Sequence, residues 1–130
     1  MLDREGRNVS HKILVVDDEE PVRKSLTMLL SAYGYEVATA ADGEEALETF
    51  ARFRPALVLS DMVMVRGQGI EVILALRERN VDLPIVAMSG GARMQGDDAL
   101  VVARRAGATA SIEKPFEPDD LLELLRQLLD

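Results

Sequence analysis

Five short apolar runs alternate with five stretches of helical periodicity, and this order predicts an α/β fold, a five-stranded parallel sheet with helices on both faces. Two further observations sharpen the expectation. The connections between runs are short, which favours parallel strands joined by right-handed crossovers. The run Ala56-Leu57-Val58-Leu59-Ser60-Asp61 is apolar at consecutive positions, so it reads as a strand buried on both faces, as in the middle of a covered sheet. A length of 130 residues suits one domain with one sheet.

Residues 1–11 are polar and mixed in charge and read as an N-terminal arm. The domain is expected over 12–130. His11, the only histidine, reads as a solvated residue ahead of the first strand. That strand is Lys12 to Val16, and Asp17-Asp18-Glu19-Glu20 follows at its C-terminal end. Pro21 suits the first turn of a helix, where its missing N–H costs nothing. Val22, Leu26, Leu29, Leu30 and Tyr33 fall on one helical face, and Gly34 ends the helix. A second strand is expected from Glu36 to Ala40. Asp42-Gly43 reads as a turn, and a helix follows from Glu44 to about Phe53, with Ala46, Leu47, Phe50 and Ala51 facing inward.

Pro55 stops that helix and the Asp61 strand follows. Gly67 and Gly69 complete no dinucleotide fingerprint and read as turn residues. The third helix is expected from Ile70 to about Arg79. The fourth strand is expected from Leu83 to Met88 and runs into Ser89-Gly90-Gly91. The fourth helix is expected from about Asp97 to Ala106, and the fifth strand from Thr109 to Ile112, before Glu113-Lys114-Pro115-Phe116. The last helix, Asp119 to Leu129, carries a stripe of Leu121, Leu122, Leu125, Leu128 and Leu129. No repeat, linker or low-complexity tract interrupts the pattern.

Composition excludes several function classes. Hydrophobic residues make up 48% of the chain but aromatics only 4%, so the core is aliphatic. The formal net charge of −8 argues against direct nucleic-acid binding and fits a protein that binds a cation or basic partners. There is no cysteine, hence no disulfide and no thiolate chemistry. No apolar run approaches a membrane span, and no signal-peptide pattern opens the chain, so a cytoplasmic protein is the expectation.

The chemistry-bearing residues gather at one edge. Asp17 and Asp18 close the first strand, Asp61 the third, Ser89 the fourth and Lys114 the fifth. In open α/β sheets ligands sit at that C-terminal edge. The flavodoxin-like order 2-1-3-4-5 makes strands one and three neighbours, about 4.8 Å apart. Asp17, Asp18 and Asp61 then crowd together, with Ser89 and Lys114 on the far side of Asp61. Each like-charged pair costs on the order of 1–4 kcal/mol at intermediate dielectric. A hard divalent cation offsets that cost, and Mg²⁺ prefers carboxylate oxygens while keeping waters that a phosphate displaces. A carboxylate can attack phosphorus to give an acyl phosphate, and such transfer depends on positioning and charge compensation. Asp61 is the candidate nucleophile; Mg²⁺, the Ser89 hydroxyl and the Lys114 ammonium each hold one phosphoryl oxygen. Taken singly, Asp61 would be a strand-closing residue, Ser89 a turn residue and Lys114 a surface lysine.

From about Lys12 to Leu129 the chain resembles the receiver domain of two-component response regulators. The matching motifs are ILVVDDEE at 13–20, LVLSDMVM at 57–64, VAMSGG at 86–91 and EKPF at 113–116. The resemblance implies that Asp61 is phosphorylated by a histidine kinase or a histidine phosphotransfer protein. It implies Asp17 and Asp18 as the acidic pair of a Mg²⁺ site, with Asp18, Asp61 and the backbone carbonyl of Val63 as direct ligands. It also implies Ser89 and Lys114 as the hydroxyl and lysine of the site, and a cis Lys114–Pro115 bond. Two positions depart from the family pattern. Val65 stands where a proline is usual, and Ser111 where the family places an aromatic ring that couples to the hydroxyl. Without that ring, the change is expected to pass from Ser89 and Gly90-Gly91 directly into the fourth helix.

Two other readings stand beside a phospho-accepting module: a Mg²⁺-dependent phosphohydrolase with an Asp nucleophile, and a pseudo-receiver that only binds partners. Turnover of an aryl phosphate separates the first, and failure to gain mass from acetyl phosphate the second. No effector domain is read in the chain, so it is either a stand-alone receiver or a piece of a longer regulator or hybrid kinase. Leu100, Val101 and Val102 exceed what one inward face of the fourth helix needs, which suits either core packing or a surface for a partner or a second copy.

Overall fold

The structure is a computed structural model, and it describes residues 11–62, 69–90 and 96–129, the side chains of 96–100 excepted. The expected arm, residues 1–11, lies outside them apart from His11. The elements run β1 (Lys12–Val16), α1 (Glu20–Ala32), β2 (Glu36–Ala40), α2 (Gly43–Phe53), β3 (Leu57–Asp61), α3 (Gly69–Arg79), β4 (Ile85–Gly90), α4 (Gly96–Ala106), β5 (Ala110–Lys114) and α5 (Pro118–Leu129). The sheet has the order β2-β1-β3-β4-β5, and every pairing is parallel. This is the flavodoxin-like topology that the sequence predicts.

Consecutive residues of a strand point to opposite faces, and the two faces feed two separate cores. Ile13 and Val15 of β1, with Leu57 and Leu59 of β3, pack against Leu26 and Leu30 of α1 and Leu121, Leu122 and Leu125 of α5. Leu14, Val16 and Val58 turn the other way, onto Ala46 of α2, Val72, Ile73 and Leu76 of α3, and Ala103 and Ala106 of α4. All five residues of β3 are buried. Full burial of each leucine there contributes about 1.5–3 kcal/mol, so β3 is firmly seated and Asp61 inherits a fixed position.

Helix ends follow local chemistry. The Asp42 carboxylate accepts from the Glu45 N–H at 2.9 Å, so Asp42 caps α2 and Gly43 is its first residue, not part of a separate turn. Gly34 adopts φ +91° after α1, and the Tyr35 N–H reaches back to the Leu30 carbonyl. Gly69 opens α3 against backbone, where a Cβ would overlap the Met62 carbonyl. Close approach, rather than a turn, is what this glycine provides. Gly67 lies outside the described residues.

Four further expectations need correction. Tyr33 is the C-cap of α1, has left the helical stripe and is 63% exposed; Tyr35 packs on the core in its place. Ala51 is exposed, because it lies roughly 140° around the helix from buried Ala46. Thr49, three residues on from Ala46, is buried instead. The fourth strand begins at Ile85, because Pro84 has no N–H for the ladder, and it continues through Ser89 to Gly90. The fifth strand likewise extends to Lys114, which pairs with Gly90. Ser89 and Lys114 are therefore held inside the ladder.

Candidate functional site

Strand parity decides which side each site residue takes. Asp17 continues the row Ile13–Val15, Asp61 the row Leu57–Leu59, and Lys114 follows Ile112, all on the α1/α5 side. Ser89 continues the row Ile85–Ala87, on the α2/α3/α4 side. Lys114 and Ser89 thus flank the rim at Asp61 from opposite layers. Asp17, Asp61 and Ser89 are all buried.

Asp17 is fully engaged. Its N–H donates to the Ala40 carbonyl at 3.1 Å. One carboxylate oxygen, Oδ1, accepts from the Glu19 N–H at 2.9 Å; the other, Oδ2, accepts from Lys114 Nζ at 2.9 Å. Its backbone carbonyl accepts from Arg23 Nη1 at 2.7 Å. The same ammonium stands 3.6 Å from Asp61 Oδ2. Lys114 thus reaches across β4 and β3 and rests between Asp61 and Asp17, rather than remaining on the far side of Asp61. Burial pulls its pKa down, but the Asp17 hydrogen bond and the charges of Asp61, Asp17 and Glu19 outweigh that, leaving it raised above the ordinary 10.5.

Carboxylate oxygens of Asp17, Asp18 and Glu19 lie within 4.8 Å of one another. Oδ1 of Asp18 and Oδ2 of Asp61 are buried and accept no hydrogen bond, although both residues engage other groups. A hard, oxygen-seeking cation fits the Asp17–Asp18–Glu19 oxygens; Asp61 is not one of that group and is linked to it through the Lys114 ammonium that it shares with Asp17. Glu19 was not among the residues singled out from the sequence. Its inclusion follows from the Asp17–Glu19 hydrogen bond, which closes the turn and draws the third acid in. Arg23 was also missed, since nothing in its spacing announces that it folds back six residues to Asp17.

Val63, Val65 and Gly91 lie outside the described residues. The Lys114–Pro115 bond is cis. Ser111 is partly buried in β5, paired with Ala87. On α4, Val101 is 47% exposed, and Val102 packs partly on the core. Among the described residues no helix is long and apolar enough to cross a membrane.

The family described as the response regulator receiver domain matches residues 13–126. The chain belongs to that family. Response regulator MprA of Mycolicibacterium vanbaalenii is 42% identical over 118 residues, covering 91% of this chain and 50% of the relative. The receiver thus spans about half the length of the curated relatives it matches. Among solved structures, chemotaxis protein CheY4 of Vibrio cholerae is 32% identical with TM-score 0.85, covering 93% of this chain and 100% of that one. The CheY-like receiver domain protein of Methanospirillum hungatei is 30% identical with TM-score 0.85, covering 94% and 95%. This receiver is therefore a module of two-component signalling, with its acids and lysine at the C-terminal edge of the sheet.

Proposed function

We propose that Asp61 accepts a phosphoryl group in a Mg²⁺-dependent reaction and that the modified receiver changes its affinity for a partner. The donor in this reading is a histidine kinase or a histidine phosphotransfer protein. An Asp61 carboxylate oxygen attacks phosphorus as the P–N bond of phosphohistidine breaks. The electron pair passes to the imidazole nitrogen, which takes up a proton. The observation that carries this reading is Asp61 itself: a buried carboxylate at the end of a wholly buried strand, with an ammonium 3.6 Å away that also holds Asp17 of the first-strand acids.

Asp17, Asp18 and Asp61 would hold the magnesium ion, together with the Val63 carbonyl, which lies outside the described residues. Asp17 has both oxygens occupied by donors, whereas Asp18 and Asp61 each present a buried oxygen that accepts none. That favours Asp18 and Asp61 as direct ligands and Asp17 as an acid acting through water. When bound, the ion supplies charge compensation for the transferring oxygens. The chain's own residues supply the rest: Lys114 turns from Asp17 towards the new phosphoryl oxygens as a point charge, and Ser89 donates its hydroxyl from the opposite layer. Phosphorylation adds charge and acceptor oxygens at this rim, and it shifts the conformational equilibrium by its differential contacts in the two states. The change would pass through Ser89 to α4 without an aromatic at Ser111. The output partner is an effector module, suggested by the part of the relatives' length beyond this domain.

The test is intact-mass measurement after incubation with acetyl phosphate. A gain of one phosphoryl group that needs Mg²⁺ and is absent in Asp61→Asn is expected. An equal gain in Asp61→Asn, or no gain in the parent chain, defeats the reading.

A further inference from the structure

Arg23 lies in the first turns of α1, where a cation opposes the helix dipole. Its side chain is nonetheless partly buried and folds back to the strand end, with Nη1 2.7 Å from the Asp17 carbonyl. That carbonyl belongs to the peptide joining Asp17 to Asp18. The Asp17 side chain is pinned on both oxygens and its N–H is pinned to β2, so the carbonyl is the last polar group of the residue to be fixed. Fixing it sets the plane of the Asp17–Asp18 peptide. The direction in which Asp18 leaves the backbone follows from that plane. The Thr27 hydroxyl in turn donates to the Arg23 carbonyl at 2.8 Å, one turn further along α1.

We propose that Arg23 is a positioning residue that aims the Asp18 carboxylate at the cation site through the Asp17 peptide, and that it does not act there as a counter-charge. This rests on the magnesium site proposed above. The two roles predict opposite signs. A counter-charge beside the acids repels a divalent ion, so its removal tightens binding. A positioning contact holds a ligand in place, so its removal weakens binding; loss of such outer contacts typically costs about 10–100-fold in metal affinity.

The experiment is an amide chemical-shift titration of the whole chain with MgCl₂, for the parent, Arg23→Met and Arg23→Lys. Arg23→Met is expected to bind Mg²⁺ roughly tenfold more weakly. Arg23→Lys keeps the charge but loses the reach of the guanidinium, and it too is expected to weaken binding. The carbonyl carbon shift of Asp17 in the metal-free protein should move in both variants, reporting the lost hydrogen bond without any ion present. Binding by Arg23→Met as tight as the parent, or tighter, overturns the proposal. Should Arg23→Met fail to fold by circular dichroism, Arg23→Lys decides alone, and unchanged affinity overturns it. A parent that shows no saturable Mg²⁺ response removes the site reading and this inference with it; a responsive parent with unchanged variants removes the inference only.

Discussion

Lys114→Met isolates what the buried cation contributes. Among the described residues, the lysine–carboxylate pairs Lys114–Asp17 and Lys24–Glu20 have the same separation, 2.9 Å. Their burial differs sharply. The Lys24–Glu20 side chains are 73% and 64% exposed, against 22% and 0% for Lys114–Asp17. At 2.9 Å and an effective dielectric near 20 the attraction is about 6 kcal/mol gross, and desolvation offsets part of it. Removing one partner of a buried pair typically costs about 3–5 kcal/mol, because the other charge stays buried. Asp17 keeps the Glu19 N–H, which lowers the cost, whereas Asp61 loses the ammonium 3.6 Å away, which raises it. We expect a loss of about 3 kcal/mol in metal-free buffer, against less than about 0.5 kcal/mol for Lys24→Met. With an m-value near 1.5 kcal/mol/M the urea midpoint falls by roughly 2 M. The chain has no tryptophan, so unfolding is followed by far-UV circular dichroism. Mg²⁺ should narrow the gap between parent and variant, since without the ammonium the acids bind the cation more tightly and the folded variant gains more from it than the parent does. A loss below about 1 kcal/mol, or one matched by Lys24→Met, would refute the reasoning that burial, rather than distance, sets the strength of the pair.

The raised Lys114 pKa fixes the sign of a pH effect: its contribution to stability is complete below 10.5, the unfolded value, and is lost as pH rises through the higher folded value. Urea midpoints measured across that alkaline range should therefore fall more steeply in the parent than in Lys114→Met. Gly69→Ala places a Cβ against the Met62 carbonyl, so the start of α3 must shift; a loss of about 1–3 kcal/mol in urea unfolding is expected. Arg77 donates to the carbonyls of Gly107, Asn80 and Val81, tying α3 to the loop that follows α4. Arg77→Leu should cost about 1–3 kcal/mol and speed amide exchange at Gly107 and Ala108, and unchanged exchange there would count against the tie.

The sheet and its edge were legible because they follow from periodicities the chain states openly. Buried Leu57–Asp61 has no polar alternation, and the acids stand where an apolar run stops. Strand ends were less legible where one residue overrides the pattern. Leu83 is buried like a strand residue, yet Pro84 delays the ladder to Ile85; at the other end, pairing with Glu113 of β5 keeps Ser89 inside β4 instead of after it. Helix faces failed at the last turn, where Tyr33 leaves the helical screw and the apolar count no longer tells direction. Within the site, strand-end position singled out Asp17, Asp18, Asp61, Ser89 and Lys114 as candidates, and the structure brings Asp17, Asp61 and Lys114 into contact. The resting partner of Lys114 was not legible, because its reach over two strands depends on side-chain extension and not on spacing. Glu19 and Arg23 were missed for a related reason: each contact runs through a backbone atom, the Glu19 N–H donating to the Asp17 carboxylate and the Asp17 carbonyl accepting from Arg23, and backbone atoms carry no residue signature.

A sheet is one residue thick, and Ser89 and Lys114 approach its rim from opposite sides. A ligand that touches both is a clasp over that rim, joining the helix pair on one side to the helix trio on the other. In the reading proposed above, its arrival would couple the two packings at a single atom group.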